Sequence, residues 1–120
     1  MKCRVLVVED SESDAFLLSE LLQVMGHMVE VARNGKEALR KLLTFTPHLI
    51  LCDIMMPEMD GLTFARRLRD GEARTSVLVA LTGRKEFADG QFAKDCGFDH
   101  CLTKPVSITD LQQLFETFAD

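Results

Sequence analysis

The stretch "LILCDIMMPEMDG", Leu49 to Gly61, decides how the rest of the chain is read. Four apolar residues run straight into one aspartate, Asp53, and a Met-Met-Pro turn follows at once. A short continuous apolar run closed by a proline turn reads as a strand covered on both faces. An unpaired carboxylate at the end of such a strand is costly to bury. Asp53 therefore demands partners from elsewhere in the sequence.

Outward from this stretch, two kinds of segment alternate. Short apolar or β-branched runs occur at Cys3–Glu9, Met28–Ala32, His48–Asp53, Ser76–Leu81 and Asp99–Leu102. Longer segments of helical period separate and follow them: Leu18, Leu21, Leu22 and Met25 fall at i, i+3, i+4 and i+7, as do Leu111, Leu114, Phe115 and Phe118. Asn34 with Glu37 has the spacing of a capping box, and Ser107 with Asp110 resembles one, with Val106 and Leu111 placed for a hydrophobic staple. Ser11 or Ser13 caps the first helix, while Gly26 and Gly97 stand where helices are expected to end. Gly90 lies inside the fourth helical segment, which makes that helix the least rigid of five. Strand and helix repeated five times imply one α/β domain over residues 1–120, a mostly parallel sheet with helices on both faces. "MVEVA" alternates where the first, third and fourth strands are nearly continuously apolar, as an edge strand would.

Composition narrows the function. With 120 residues, 47% apolar and 28% charged, the chain suits one soluble core. A net charge of −5 disfavours nucleic acid as a partner, and Arg66, Arg67 and Arg69 read as the solvated face of a helix. No apolar run approaches the roughly 20 residues of a membrane span. The four cysteines form no CxxC pair, and Cys3 and Cys52 sit in apolar runs as small hydrophobes, which fits the cytoplasm. His27, His48 and His100 are scattered and suggest no metal cluster.

The polar residues collect at one edge. In open α/β sheets, ligands bind beyond the carboxyl ends of the strands. The first strand ends in Glu9-Asp10, the third in Asp53, the fourth in Thr82-Gly83, and the fifth runs into Thr103-Lys104-Pro105. In a sheet that sets the first and third strands side by side, Glu9, Asp10 and Asp53 converge. Like charges that close raise one another's pKa unless one is protonated or a hard divalent cation joins them. Oxygen ligands with positions left for water suit Mg²⁺. Lys104 has the length to reach Asp53, and Thr82 supplies a hydroxyl. Such a constellation is a phosphoryl site built on a carboxylate nucleophile.

On "VLVVEDS", "LILCDIMMPEMDG", "ALTG" and "LTKPV", in this order, the chain resembles the receiver domain of two-component response regulators over essentially its whole length. The resemblance implies a flavodoxin-like (βα)5 fold with strand order 2-1-3-4-5. It implies that Asp53 accepts a phosphoryl group from a phosphohistidine on a histidine kinase or histidine phosphotransfer domain. It makes Asp10 a direct Mg²⁺ ligand, Glu9 a ligand through water, and Met55 a ligand through its backbone carbonyl. Thr82 becomes the hydroxyl, and Lys104 the ammonium, that meet the phosphoryl group, with the Lys104-Pro105 bond cis. The signal is expected to leave by the face of the fourth helix, fifth strand and fifth helix. There this chain has Cys101 where such domains commonly carry an aromatic residue or His. "GFDHCLTKPV" is similar to receivers of hybrid histidine kinases, so a receiver working within a phosphorelay is the alternative reading.

Each residue also has a plainer explanation. Asp53 alone is a strand-end turn residue, Glu9 and Asp10 are helix-capping acids, and Thr82 is an ordinary hydroxyl. None of these explains four strand ends at once. Cys101 as a redox sensor lacks a basic neighbour other than His100. An aspartate-nucleophile phosphatase resembling haloacid dehalogenases would need a second acid where Met55 stands, and a cap domain. A flavin-binding protein would need a Ser/Thr/Gly-rich loop in place of the acidic "EDSES". The expected protein catalyses only its own phosphorylation and dephosphorylation, and carries no output domain after Phe118.

Overall fold

The computed structural model describes residues 2–54, 61–70, 76–83, 94 and 97–118, the side chains of 61 and 62 excepted. Met55, Gly90 and Cys96, and with them the expected metal carbonyl and the fourth helical segment, lie outside the described residues.

Five strands form one parallel sheet: β1 (Arg4–Val8), β2 (Met28–Ala32), β3 (Leu49–Asp53), β4 (Val77–Thr82) and β5 (His100–Thr103). Their order is β2-β1-β3-β4-β5. Each strand lies within one residue of its sequence expectation, because the apolar runs themselves mark the buried backbone. β3 is buried at every position, as a central strand covered on both faces must be. β2, at the edge, is exposed at Met28 and Glu30 and wholly buried only at Ala32.

Alternation along the strands divides the core into two layers. Val5 and Val7 of β1, Leu49 and Leu51 of β3, and Val79 and Leu81 of β4 face one way. They pack against Leu18 and Leu22 of α1 (Glu12–Val24) and against Leu111, Leu114 and Phe115 of the last helix (Ile108–Phe118). Leu6, Val8, Ile50, Cys52, Leu78 and Ala80 face the other way. There they meet Ala38 of α2 (Gly35–Lys41) and Phe64, Ala65 and Leu68 of α3 (Gly61–Arg69). Helices on both faces make the sheet doubly wound.

Local chemistry sets the helix ends. Ser11 Oγ accepts from the Asp14 N–H at 3.3 Å and Asn34 Oδ1 from the Glu37 N–H at 2.8 Å. Ser107 and Asp110 exchange side-chain-to-backbone bonds of 3.0 and 3.1 Å, a reciprocal cap. After α1, the Gly26 N–H bonds the Gln23 carbonyl and the His27 N–H that of Leu22, with Gly26 at φ +96°. That is a Schellman stop, and its left-handed residue favours glycine.

Candidate functional site

Register brings the acids together. Val8 pairs with Cys52, so the next residues on β1 and β3, Glu9 and Asp53, stand side by side beyond the sheet. The Glu9 N–H still donates to Ala32 O at 2.9 Å, which ties its backbone to β2. Asp53 pairs with Leu81 and Thr82 with Thr103, and the Lys104 N–H donates to Thr82 O at 2.8 Å. Lys104 therefore leaves the sheet at the level of the acids. The Lys104-Pro105 peptide is cis.

Side-chain contacts complete the arrangement. Glu9, Asp10 and Asp53 each present a carboxylate oxygen within 4.8 Å of the others. Lys104 Nζ donates to Glu9 Oε2 at 2.7 Å and to Asp53 Oδ2 at 3.2 Å. The second Glu9 oxygen accepts from the Ser11 N–H at 3.2 Å. Glu9 is 2% exposed and Asp53 7%, whereas Asp10 is open to solvent. Thr82 is buried at the same edge.

Burial dominates the electrostatics. It raises the Glu9 carboxyl from 4.5 to about 7, with the nearby Asp53 charge adding to the rise and the Lys104 hydrogen bond opposing it. Burial pulls the Lys104 ammonium down, but its bond to Glu9 and the Asp53 charge outweigh this and hold its pKa above the ordinary value. One lysine thus offsets two buried carboxylates with a third beside them. A donor set made only of oxygens, carrying surplus negative charge and open to solvent through Asp10, fits a hard divalent cation.

A cleft of about 260 Å³ adjoins the site between α1 and the Lys104–Val106 loop, with Leu17, Leu18, Leu21 and Leu81 among its walls. Cys101 packs against the core layer of α2 and α3, and burial pushes its thiol up, away from the thiolate that redox chemistry requires.

Three residues have roles that the sequence reading missed. Arg66 and Arg67 are exposed as expected, but Arg69 is a clamp. Its guanidinium reaches Gly97 O at 2.8 Å, Ser76 O at 3.3 Å and Asp99 Oδ2 at 2.6 Å, while Asp99 also accepts from the Leu78 N–H. Asp99 and Gly97 inside "CGFDH" were the available signal. His27 is buried, stacks on Phe115 and accepts the Cys3 N–H at Nδ1, and burial lowers its pKa. Asp14 brings a third carboxylate to Lys104, 3.7 Å from Nζ. Its place in the first turn after Asp10 was the only sequence hint.

Comparison with known proteins agrees with this geometry. The family model described as "Response regulator receiver domain" matches residues 5–116. The alkaline phosphatase synthesis transcriptional regulatory protein PhoP of Bacillus subtilis is 37% identical over 89% of this chain, though over only 44% of PhoP. The chain spans under half the length of several curated relatives of this kind. The signal receiver domain of a signal transduction histidine kinase from Syntrophus aciditrophicus superposes with TM-score 0.86 at 35% identity, over 97% of this chain and 89% of that one. The response regulator protein TrrA of Thermotoga maritima, in complex with Mg²⁺–BeF, gives TM-score 0.85 at 29% identity, covering 98% and 99% of the two chains. With the family model spanning nearly the whole sheet and the acidic edge where its strands end, the chain belongs to the receiver domains of two-component response regulators.

Proposed function

We propose that Asp53 is the phosphoacceptor and that the donor is a phosphohistidine on a histidine kinase or a histidine phosphotransfer domain. The observation that carries this is the pairing of a buried strand-end carboxylate with one ammonium, Lys104 Nζ to Asp53 Oδ2 at 3.2 Å, inside a three-carboxylate cluster. An Asp53 oxygen attacks phosphorus, the P–N bond to the donor imidazole breaks, and the nitrogen keeps the electron pair and takes up a proton. The product is an acyl phosphate on Asp53. Mg²⁺ held by Glu9, Asp10, Asp53 and the Met55 carbonyl would supply positive charge to the entering phosphoryl oxygens.

Lys104 exchanges its Asp53 contact for the phosphoryl oxygens, and the Thr82 hydroxyl donates to them. A phosphoryl group adds roughly −1.5 to −2 charge, enough to bias the position of the chain after Thr82. The signal then leaves through the surface that includes β5 and the last helix, with Cys101 in place of an aromatic reporter. The chain acts on itself alone, in the cytoplasm. The similarity to a histidine kinase receiver supports the alternative of a hybrid kinase in a phosphorelay. PhoP is a transcriptional regulatory protein, so the expectation that nucleic acid plays no part does not extend to longer relatives of that kind.

Incubation with acetyl phosphate and Mg²⁺ should add one phosphoryl mass to the protein, and Asp53→Asn should abolish it. Undiminished labelling of that variant would overturn the assignment.

A further inference from the structure

Lys104 is shared among three carboxylates, and the proposed function uses only two. Glu9 Oε2 lies 2.7 Å, Asp53 Oδ2 3.2 Å and Asp14 Oδ2 3.7 Å from the same nitrogen. Asp14 is outside the cluster of Glu9, Asp10 and Asp53. Its side chain is 55% exposed, and it lines, with Glu9 and Lys104, the cleft that adjoins the site beside α1. A plainer role exists, because an acid in a first helical turn favours the helix dipole. Glu12 is also acidic in that turn, and the Ser11 cap engages Asp14 only through its backbone N–H. The helix therefore does not require the Asp14 carboxylate.

Its charge has consequences at the reacting oxygen. Asp14 and Asp53 both touch one ammonium, so they lie within a Debye length of each other, roughly 8 Å at physiological salt. An anionic phosphodonor approaching Asp53 meets the Asp14 charge as well, and finds Lys104 partly neutralised by it. Resting on the assignment of Asp53 as phosphoacceptor, we propose that Asp14 is a specificity-determining residue that penalises free phosphodonors in proportion to their negative charge. It acts through Lys104 and through space, without touching the donor.

The test compares acetyl phosphate, a dianion near neutral pH, with phosphoramidate, a monoanion, at saturating Mg²⁺. Intact-mass spectrometry follows the phosphorylation rate of the wild type, Asp14→Asn, Asp14→Ala and the charge-matched control Glu116→Gln, which alters an exposed residue two turns along the last helix. Both Asp14 variants should gain about two- to fivefold with acetyl phosphate. The gain with phosphoramidate should be the square root of that factor. At about 1 M salt, where the Debye length falls to roughly 3 Å, both gains should collapse towards one. The control should match the wild type throughout. A merely structural role would change both donors equally and would survive salt, so equal factors, salt-insensitive gains or unchanged rates would overturn the proposal. If Asp14→Asn matches a wild type that labels normally, Asp14 alone is refuted. If folded wild type takes no label from either donor, the phosphoacceptor assignment fails and Asp14 falls with it.

Discussion

Glu9 is the residue in which burial and charge conflict most directly. Its carboxyl is almost wholly enclosed, and the one cation beside it among the described residues is shared with Asp53 and Asp14. A folded-state pKa of about 7 against an ordinary 4.5 means that the fold prefers the protonated acid. The stability this contributes is present below about pH 4.5 and is lost as pH rises towards 7. Without divalent cations, Glu9→Gln should therefore raise the Tm above pH 7 by about 4 °C or more, the shift that roughly 1 kcal/mol produces in a domain of this size. At pH 5 the two proteins should differ little. Thermal melts of both at the two pH values check this, and an equal effect at both would contradict the burial argument. Asp53 and Lys104 were legible in the sequence because each ends an apolar run. Asp14 was not, because its meeting with Lys104 spans ninety positions and depends on where α1 lies over the sheet.

Among the elements, those with strong local signals were readable almost residue by residue. Asn34 and Ser107 cap the helices that follow them, Gly26 stops α1, and the edge character of β2 shows in its alternating pattern. The C-terminus of α3 was misread. A run of arginines on a helix normally faces water, and nothing in the composition of "ARRLRD" separates Arg69 from its neighbours. The acceptors Ser76 O, Gly97 O and Asp99 Oδ2 belong to two separate segments, one leading into β4 and one into β5, brought within reach only when those strands pair in the sheet. Arg69→Ala should destabilise the fold by about 2 kcal/mol in urea unfolding, given charge-assisted bonds to partly buried acceptors. Arg69→Lys should recover little of it, since an ammonium lacks the planar fork that serves all three acceptors. Full rescue by lysine would show that charge alone matters there.

Over the whole molecule, the same parallel topology that buries β1 and β3 delivers their terminal acids to one edge. Negative charge there exceeds what Lys104 offsets, and the chain as a whole carries −5. A cation that binds the folded edge and not the unfolded chain stabilises by mass action. Mg²⁺ at about a hundred times its dissociation constant should add roughly 2.7 kcal/mol, visible as a higher Tm that chelation reverses. Asp10→Asn should remove most of this gain while leaving the metal-free Tm close to wild type, because Asp10 is exposed. An equal gain from NaCl at matched ionic strength would point to general screening instead.

Strands, caps, turn glycines and the polar strand ends were determined by the sequence itself, because each rests on the spacing of neighbours along the chain. Asp53, at the end of its apolar run, already called for partners. Which groups answer it was decided by tertiary structure: strand order sets Glu9 beside it, the Thr82–Lys104 backbone bond aims the lysine, and the placement of α1 adds Asp14. Electrostatic interaction depends on distance and burial, and neither exists until the sheet has formed.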